Sequence, residues 1–127
     1  MKTLLFIGIG GFFGAVARYV LGVATQSLFQ ERVAGFPVGT LAVNLLGCLM
    51  IGFLARCFTG RFQVSPELQI ALTVGFLGAF TTFSTYAYDI FILLEQGRYA
   101  FAAGNFLLSN GLGLLAVWVG YRLAGIL

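Results

Sequence analysis

Polar side chains inside the apolar stretches of this 127-residue chain are few, and four of them recur at helical spacing. Thr40 and Asn44 are four residues apart, as are Asn105 and Ser109, so each pair would share one helical face. Amide and hydroxyl groups donate hydrogen bonds that can replace the hydration of a small anion. Because conduction requires an ion to leave as readily as it enters, neutral donors suit a pathway. The two stripes predict an anion track, with Asn110 on another face.

Residues 75–89 (GFLGAFTTFSTYAYD) are a poor sequence for an uninterrupted helix, although they lie within a long apolar segment. Gly75 and Gly78 each weaken a helix by about 1 kcal/mol relative to Ala. Four hydroxyl groups that can bond the nearby backbone belong to Thr81, Thr82, Ser84 and Thr85. In hydrocarbon, carbonyls freed by a break persist only where they are buried in protein, line a wet cavity or bind an ion. We therefore predict that the third helix is broken near residues 75–82 and that a functional site lies there in mid-membrane.

Beyond the predicted break, Phe83 and Tyr86 are three residues apart and share a helical face, with Ser84 beside them. The edges of aromatic rings carry partial positive charge, so they too can face an anion. Taken singly, aromatic pairs are more often packing elements, and an isolated Asn or Ser in a membrane often only bonds a neighbouring helix, for about 0.6 kcal/mol. A broken third segment combined with polar stripes on the second and fourth segments indicates a pathway for an anion.

The composition is that of an integral membrane protein. Hydrophobic residues make up 60% of the chain and charged residues 9%, which is too apolar for a soluble domain with a polar shell. The sequence contains no His, so zinc, haem and imidazole-based catalysis lose their usual ligand or base, which disfavours an enzyme. Cys48 and Cys57 lie in or beside the second apolar segment, where a disulfide framework is not expected.

An all-α fold with four membrane-spanning segments is predicted, in a single domain of residues 1–127. The segments run over about residues 4–24, 38–58, 68–94 and 100–123, against the ~20 residues that one span needs. Ser65, Pro66 and Glu67 predict the cap and first turn of the third. Glycines that predict close helix packing are Gly8, Gly10, Gly11, Gly14, Gly47 and Gly52. Because four helices enclose little volume, a pore is easier to build between subunits than inside one.

Lys and Arg are almost evenly divided between the two sides of the predicted protein. The side with both termini holds Lys2, Arg56, Arg61 and Arg122, and the other side holds Arg18, Arg32 and Arg98. Because an imbalance in these residues normally sets orientation, four against three leaves the chain able to insert either way up. Two oppositely inserted copies could pair about an axis in the membrane plane. A fixed topology set by subtler signals is the open alternative.

Two other protein classes are alternatives, and the first of them shares this size and helix count. A dual-topology small multidrug or cation exporter needs a membrane carboxylate to exchange protons with its substrate. The first segment has none, and Asp89 lies badly placed near the end of the third. A membrane scaffold that transports nothing is the other alternative. For the two charges themselves, the open alternative is that Arg18 only snorkels and that Asp89 caps or pairs near the interface.

Three motifs carry a family resemblance that covers essentially the whole chain: GGFFGAVARY at residues 10–19, GTLAVNLLG at 39–47 and GFLGAFTTFST at 75–85. With these motifs the sequence resembles the Fluc (CrcB) family of fluoride ion channels. The resemblance implies an antiparallel, dual-topology homodimer with two pores, each lined by helices of both subunits. It also implies passive export of fluoride across a bacterial inner membrane, which gives fluoride resistance because HF that leaks inward dissociates in the more alkaline cytoplasm.

The resemblance also implies roles for individual residues. The implied fluoride pathway comprises Thr40, Asn44, Phe83, Ser84, Tyr86, Asn105 and Ser109. Within it, ring edges of Phe83 and Tyr86 would contact fluoride. Tyr86 departs from the Phe of the family and adds a hydroxyl group. Gly113 stands one turn beyond Ser109, where some relatives have Ser.

The family further implies a structural sodium ion at the centre of the dimer, held by backbone carbonyls at the third-helix breaks of both subunits. In this sequence the carbonyls are those of Gly78 and Thr81. Carbonyl oxygens are hard ligands that suit a hard cation, in agreement with the predicted break. Arg18 matches an arginine of the family's first helix and is expected to be structural or to line a vestibule. Asp89 stands where relatives often have Glu.

Overall fold

The computed structural model describes residues 1–60 and 63–126, and Arg61 therefore lies outside the described residues. Within these residues, four helical stretches are long and apolar enough to cross a membrane, as predicted. Three of them are continuous helices: α1 (Lys2–Phe29), α2 (Val38–Gly60) and α6 (Tyr99–Ala124). The remaining stretch, Pro66–Glu95, is built from several pieces. Four crossings place the two ends of the chain on the same side of the membrane.

The third membrane-spanning stretch is interrupted, as the sequence predicted. It begins with α3 (Pro66–Ile70), continues through a π-helical segment (Ala71–Leu77) and a single turn, α4 (Gly78–Phe80), and resumes as α5 (Phe83–Glu95). Between α4 and α5 the backbone is extended, with φ −84° and ψ 158° at Thr81 and φ −148° and ψ 115° at Thr82. The break thus lies at the end of the predicted region. The π-helical segment was not predicted from the sequence.

The third stretch starts at the predicted cap. The Ser65 hydroxyl accepts a hydrogen bond from the Leu68 N–H at 3.4 Å, and Pro66 occupies the first turn, where its missing N–H costs nothing. Further along, the Thr73 hydroxyl donates to the Gln69 carbonyl at 2.8 Å, just inside the π-helical segment. Such a bond competes with the regular backbone ladder of an α-helix.

Glycine allows the helices to approach closely, as predicted for most of the positions named above. A methyl group at Gly14 of α1 would meet the Phe76 carbonyl of the π-helical segment. On the other side of the bundle, a methyl group at Gly52 of α2 would meet the Val117 carbonyl of α6. Gly8 is the exception, because nothing else in the described chain lies within 4 Å of a methyl group placed there.

Replacing Gly14 by Ala is expected to destabilise the protomer. The added methyl group would push α1 away from the backbone of Phe76, and overpacking of this kind costs about 1–3 kcal/mol. Gly8→Ala on the same helix is the matched control, because its methyl group enters open space. Thermal unfolding of detergent-solubilised protein should show a lower midpoint for Gly14→Ala only. Equal midpoints for the two variants would contradict the contact.

The protomer buries little of its apolar surface. A small core forms around Val43, Leu77 and Phe80, whereas many large apolar side chains are exposed, most of them on α1 and α6. In a membrane protein these exposed faces meet lipid or another subunit rather than water. The break in the third stretch begins directly after Phe80, so the interrupted backbone is anchored to this core.

Candidate functional site

Asn44 of α2 holds the two backbone bonding groups of Thr82 at the break. The Thr82 N–H donates to Asn44 Oδ1 at 2.8 Å, and Asn44 Nδ2 donates to the Thr82 carbonyl at 3.1 Å. An extended residue in mid-membrane has no helical partners, and unbonded backbone groups there cost several kcal/mol each. The Asn44 side chain therefore satisfies the hydrogen-bonding groups of Thr82 and makes the break possible. One of its two amide protons remains for another acceptor.

The carbonyls of Gly78 and Thr81 lose their helical hydrogen-bond donors at this break. In a continuous α-helix they would accept from the N–H groups of Thr82 and Thr85. The Thr82 N–H instead donates to Asn44, and the Thr85 N–H donates to the Thr82 hydroxyl at 3.2 Å. These are the two carbonyls that the family resemblance implies as sodium ligands. Released carbonyl oxygens fit a hard cation, so the chain's own backbone suits the predicted ion.

A groove of about 410 Å³ lies beside the break and is open on the surface of the protomer. We call it the aromatic groove. Among the residues predicted from the sequence, it is lined by Asn44, Gly78, Thr81, Phe83, Tyr86 and Ser109. The rings of Phe83 and Tyr86 are 5.8 Å apart between centroids and tilted by 52°. The Phe83 side chain is 79% exposed, whereas that of Tyr86 is 8% exposed. Phe83 thus presents its ring to whatever occupies the groove.

Four polar or thiol side chains that were not predicted to belong to the site also line the aromatic groove: Cys48, Thr73, Thr82 and Asn110. Asn110 lies on a different face of α6 from Ser109, but its side chain also reaches the groove, and its amide donates to the Tyr86 hydroxyl at 2.9 Å. The groove is wide enough to take side chains from two adjacent faces of α6. Cys48 was detectable, since it lies four residues after Asn44 on the same face of α2.

Asn105 and Ser109 are bonded to each other, but they occupy different surroundings. The Ser109 hydroxyl donates to Asn105 Oδ1 at 3.1 Å. Ser109 reaches the aromatic groove, while Asn105 is 1% exposed and does not line it. The Asn105 Nδ2 group has no hydrogen-bond partner in the described part of the chain. A buried unpaired donor costs about 1–3 kcal/mol, so this amide lowers the stability of the isolated protomer.

A second groove, of about 420 Å³, lies across the break from the first. We call it the arginine groove. It contains Arg18 and Thr40, together with Thr82 and Thr85. Thr82 borders both grooves, so Thr40 is separated from Asn44 although the two share a helical face. Arg18 therefore lies apart from the aromatic pair, and its structural or vestibule role stays a prediction.

Thr40 also lines a third cavity, of about 350 Å³, together with Asp89. Asp89 Oδ2 is buried and has no hydrogen-bond partner in the described residues. The remaining predicted residue, Ser84, is exposed at the start of α5, with its hydroxyl 3.4 Å from that of Thr82, and lines neither groove. The predicted pathway residues are thus distributed around the break and are not on a single line within one protomer.

Comparison with known proteins shows which sequences this chain resembles. The family described as "CrcB-like protein, Camphor Resistance (CrcB)" matches residues 5–121. A protein of Bacteroides fragilis (strain YCH46) is 46% identical over 120 residues, 94% of each chain. A protein of Geobacter sulfurreducens is 43% identical over 124 residues, 98% of each chain, and one of Chlorobium phaeobacteroides (strain BS1) is 43% identical over 122 residues, 96% of this chain and 92% of the relative. All three are named fluoride-specific ion channel FluC.

Proposed function

The chain belongs to the CrcB family of multi-pass membrane proteins, and we propose that it is a fluoride-selective ion channel. The observation that carries the proposal is the near full-length identity of 43–46% to proteins named as fluoride-specific channels. That name describes a channel and not an enzyme. In this proposal the protein lies in a bacterial inner membrane and lets cytoplasmic fluoride leave passively, which gives fluoride resistance.

The aromatic groove offers the kind of lining that such a channel needs. Its predicted donors are neutral: the second amide proton of Asn44 and the ring edges of Phe83 and Tyr86. None of the described residues that line this groove is charged. Neutral donors bind a small anion strongly enough to replace part of its hydration and weakly enough to let it go.

The open grooves support pairing of two protomers. Phe83 is 79% exposed within a groove that one protomer leaves open, so a second subunit is needed to close the path. Each protomer carries two grooves of similar size on either side of its break. In an antiparallel dimer related by a two-fold axis in the membrane plane, such grooves would occur in equivalent pairs and form two pores. The near balance of Lys and Arg would permit the opposite insertions.

The proposed structural sodium ion would be held by the Gly78 and Thr81 carbonyls of both subunits. Support comes from the diversion of the N–H groups of Thr82 and Thr85 to side-chain acceptors. When bound, the ion would supply positive charge to oxygen atoms that hydrocarbon cannot satisfy. Its role would be to hold the two breaks together at the centre of the dimer.

Efflux from liposomes tests the channel proposal. Purified protein would be reconstituted into vesicles loaded with fluoride or chloride, and a potassium ionophore would prevent charge build-up. We expect rapid release of fluoride with retention of chloride. Retention of fluoride by vesicles that contain folded protein would overturn the proposal and favour an exporter or a scaffold.

Sodium should stabilise the assembled protein specifically. A ligand present at 100 times its dissociation constant stabilises the folded state by about 2.7 kcal/mol. We therefore expect a higher unfolding midpoint in sodium chloride than in potassium chloride or choline chloride at equal concentration. The same midpoint in all three salts would argue against a sodium ion at the breaks.

A further inference from the structure

The hydroxyl group of Tyr86 is held in a defined orientation by Asn110. Asn110 Nδ2 donates to the Tyr86 oxygen at 2.9 Å and to the Phe106 carbonyl at 2.7 Å. The second bond fixes which amide atom faces the tyrosine, because the opposite orientation would place Asn110 Oδ1 against a carbonyl oxygen. The Tyr86 oxygen is therefore an acceptor in this bond, and its own proton remains for a different partner.

The other hydroxyl groups that line the aromatic groove already donate to the protein. Those of Thr73 and Thr81 donate to the carbonyls of Gln69 and Leu77, at 2.8 and 2.9 Å. Those of Thr82 and Ser109 donate to Thr85 Oγ1 and Asn105 Oδ1, at 3.0 and 3.1 Å. Among the described lining residues, Tyr86 thus carries the hydroxyl proton for which the protomer provides no acceptor.

We propose that the Tyr86 hydroxyl, oriented by Asn110, donates a hydrogen bond directly to the anion in the aromatic groove. Asn110 is a positioning residue that acts through Tyr86. This inference rests on the proposed channel function and adds a donor to the ring edges of Phe83 and Tyr86. An anion can only accept hydrogen bonds, so it completes the bonding of a hydroxyl whose oxygen is already occupied.

The chemistry of this donor favours a small, hard anion. A hydrogen bond from a neutral O–H to an anion is shorter and stronger than one between neutral groups. Fluoride concentrates its charge at a smaller radius than chloride and is the stronger acceptor. Because Tyr86 is 8% exposed and its oxygen is tied to α6, the donor needs little reorganisation when the ion arrives. The hydroxyl should therefore contribute to discrimination between the two halides.

Tyr86→Phe removes the hydroxyl and keeps the ring, so it separates the two contributions. We expect the fluoride concentration that half-saturates efflux from liposomes to rise about tenfold, as loss of a hydrogen bond to a charged group predicts, with a smaller preference for fluoride over chloride. Asn110→Leu should shift both quantities in the same direction by less. In the double variant, Asn110→Leu should add nothing to Tyr86→Phe, because it acts through the hydroxyl. Tyr99→Phe, which alters an exposed residue of α6, is the control.

A binding measurement distinguishes failure of this inference from failure of the channel proposal. Fluoride added to the detergent-solubilised protein should change the near-ultraviolet absorbance of tyrosine, whereas chloride should not, and Tyr86→Phe should abolish the change. Absence of fluoride efflux in the unaltered protein would overturn the channel proposal, whatever the spectrum. An unchanged or lowered half-saturating concentration in Tyr86→Phe, additive effects of the two substitutions, or a spectral change that survives Tyr86→Phe would overturn the hydroxyl assignment.

Discussion

Replacing Asn44 by Asp is expected to suppress fluoride efflux about 100-fold or more. At a separation of about 6 Å and an effective dielectric constant of about 20, two like charges repel by about 3 kcal/mol, which is a factor of about 100 in occupancy. The substitution also removes the donor to the Thr82 carbonyl and leaves a carboxylate oxygen facing it. Efflux from liposomes, measured as initial rate per assembled protein, would report the loss.

Asn44→Ala separates the effect of the added charge from the effect of losing the two hydrogen bonds to Thr82. It removes both hydrogen bonds to Thr82 without adding charge, so flux that is low in both variants but lower in Asn44→Asp would identify repulsion of the anion. Equal losses of flux in the two variants would assign the effect to the lost hydrogen bonds with the Thr82 backbone alone. Size-exclusion chromatography would verify that each variant remains assembled. Undiminished flux through Asn44→Asp would remove Asn44 from the pathway.

The positions of the membrane spans could be predicted because they depend on local sequence. Apolar length and the Ser65 cap locate the third stretch, and the observed helices contain the predicted ones. The break was predictable for the same reason, since glycines and hydroxyl residues weaken a helix wherever they occur together. Sequence pattern could not predict the hydrogen bonds between Asn44 and Thr82, because the two residues are separated by 38 positions and meet only after α2 packs against the break.

The candidate site was predicted less completely than the fold. Helical spacing correctly brought Phe83 and Tyr86 together, but it reports a shared face and not what covers that face. Asn105 shares a helical face with Ser109 but is buried and does not line the aromatic groove. Asn110, on the neighbouring face, does line it. The role of each donor also depends on which protons the protein already uses. That information lies in tertiary contacts such as the bond between Asn110 and Tyr86.

Replacing Phe83 by Ile is expected to reduce fluoride efflux about tenfold or more while the protein remains assembled. An aliphatic side chain fills part of the same space but lacks the positive ring edge. Edge contacts between aromatic rings are worth about 0.5–1.5 kcal/mol each, which sets the scale of the expected loss. Loss of the ring from both subunits would combine these effects in each proposed pore. Because Phe83 is 79% exposed in the protomer, the substitution removes few internal contacts. Efflux from liposomes and the elution volume of the purified protein would be measured together.

Phe91→Ile is the matched control, because Phe91 is an exposed phenylalanine of the same helix that does not line the aromatic groove. Its flux should match that of the unaltered protein. A loss confined to Phe83→Ile would then report the aromatic edge, since both variants exchange the same side chains on α5. Comparable flux in the two variants would mean that the anion passes without contact with Phe83. A Phe83→Ile protein that no longer assembles would instead assign the exposed ring to subunit packing, and the exposure of Phe83 in the protomer would reflect an interface between copies.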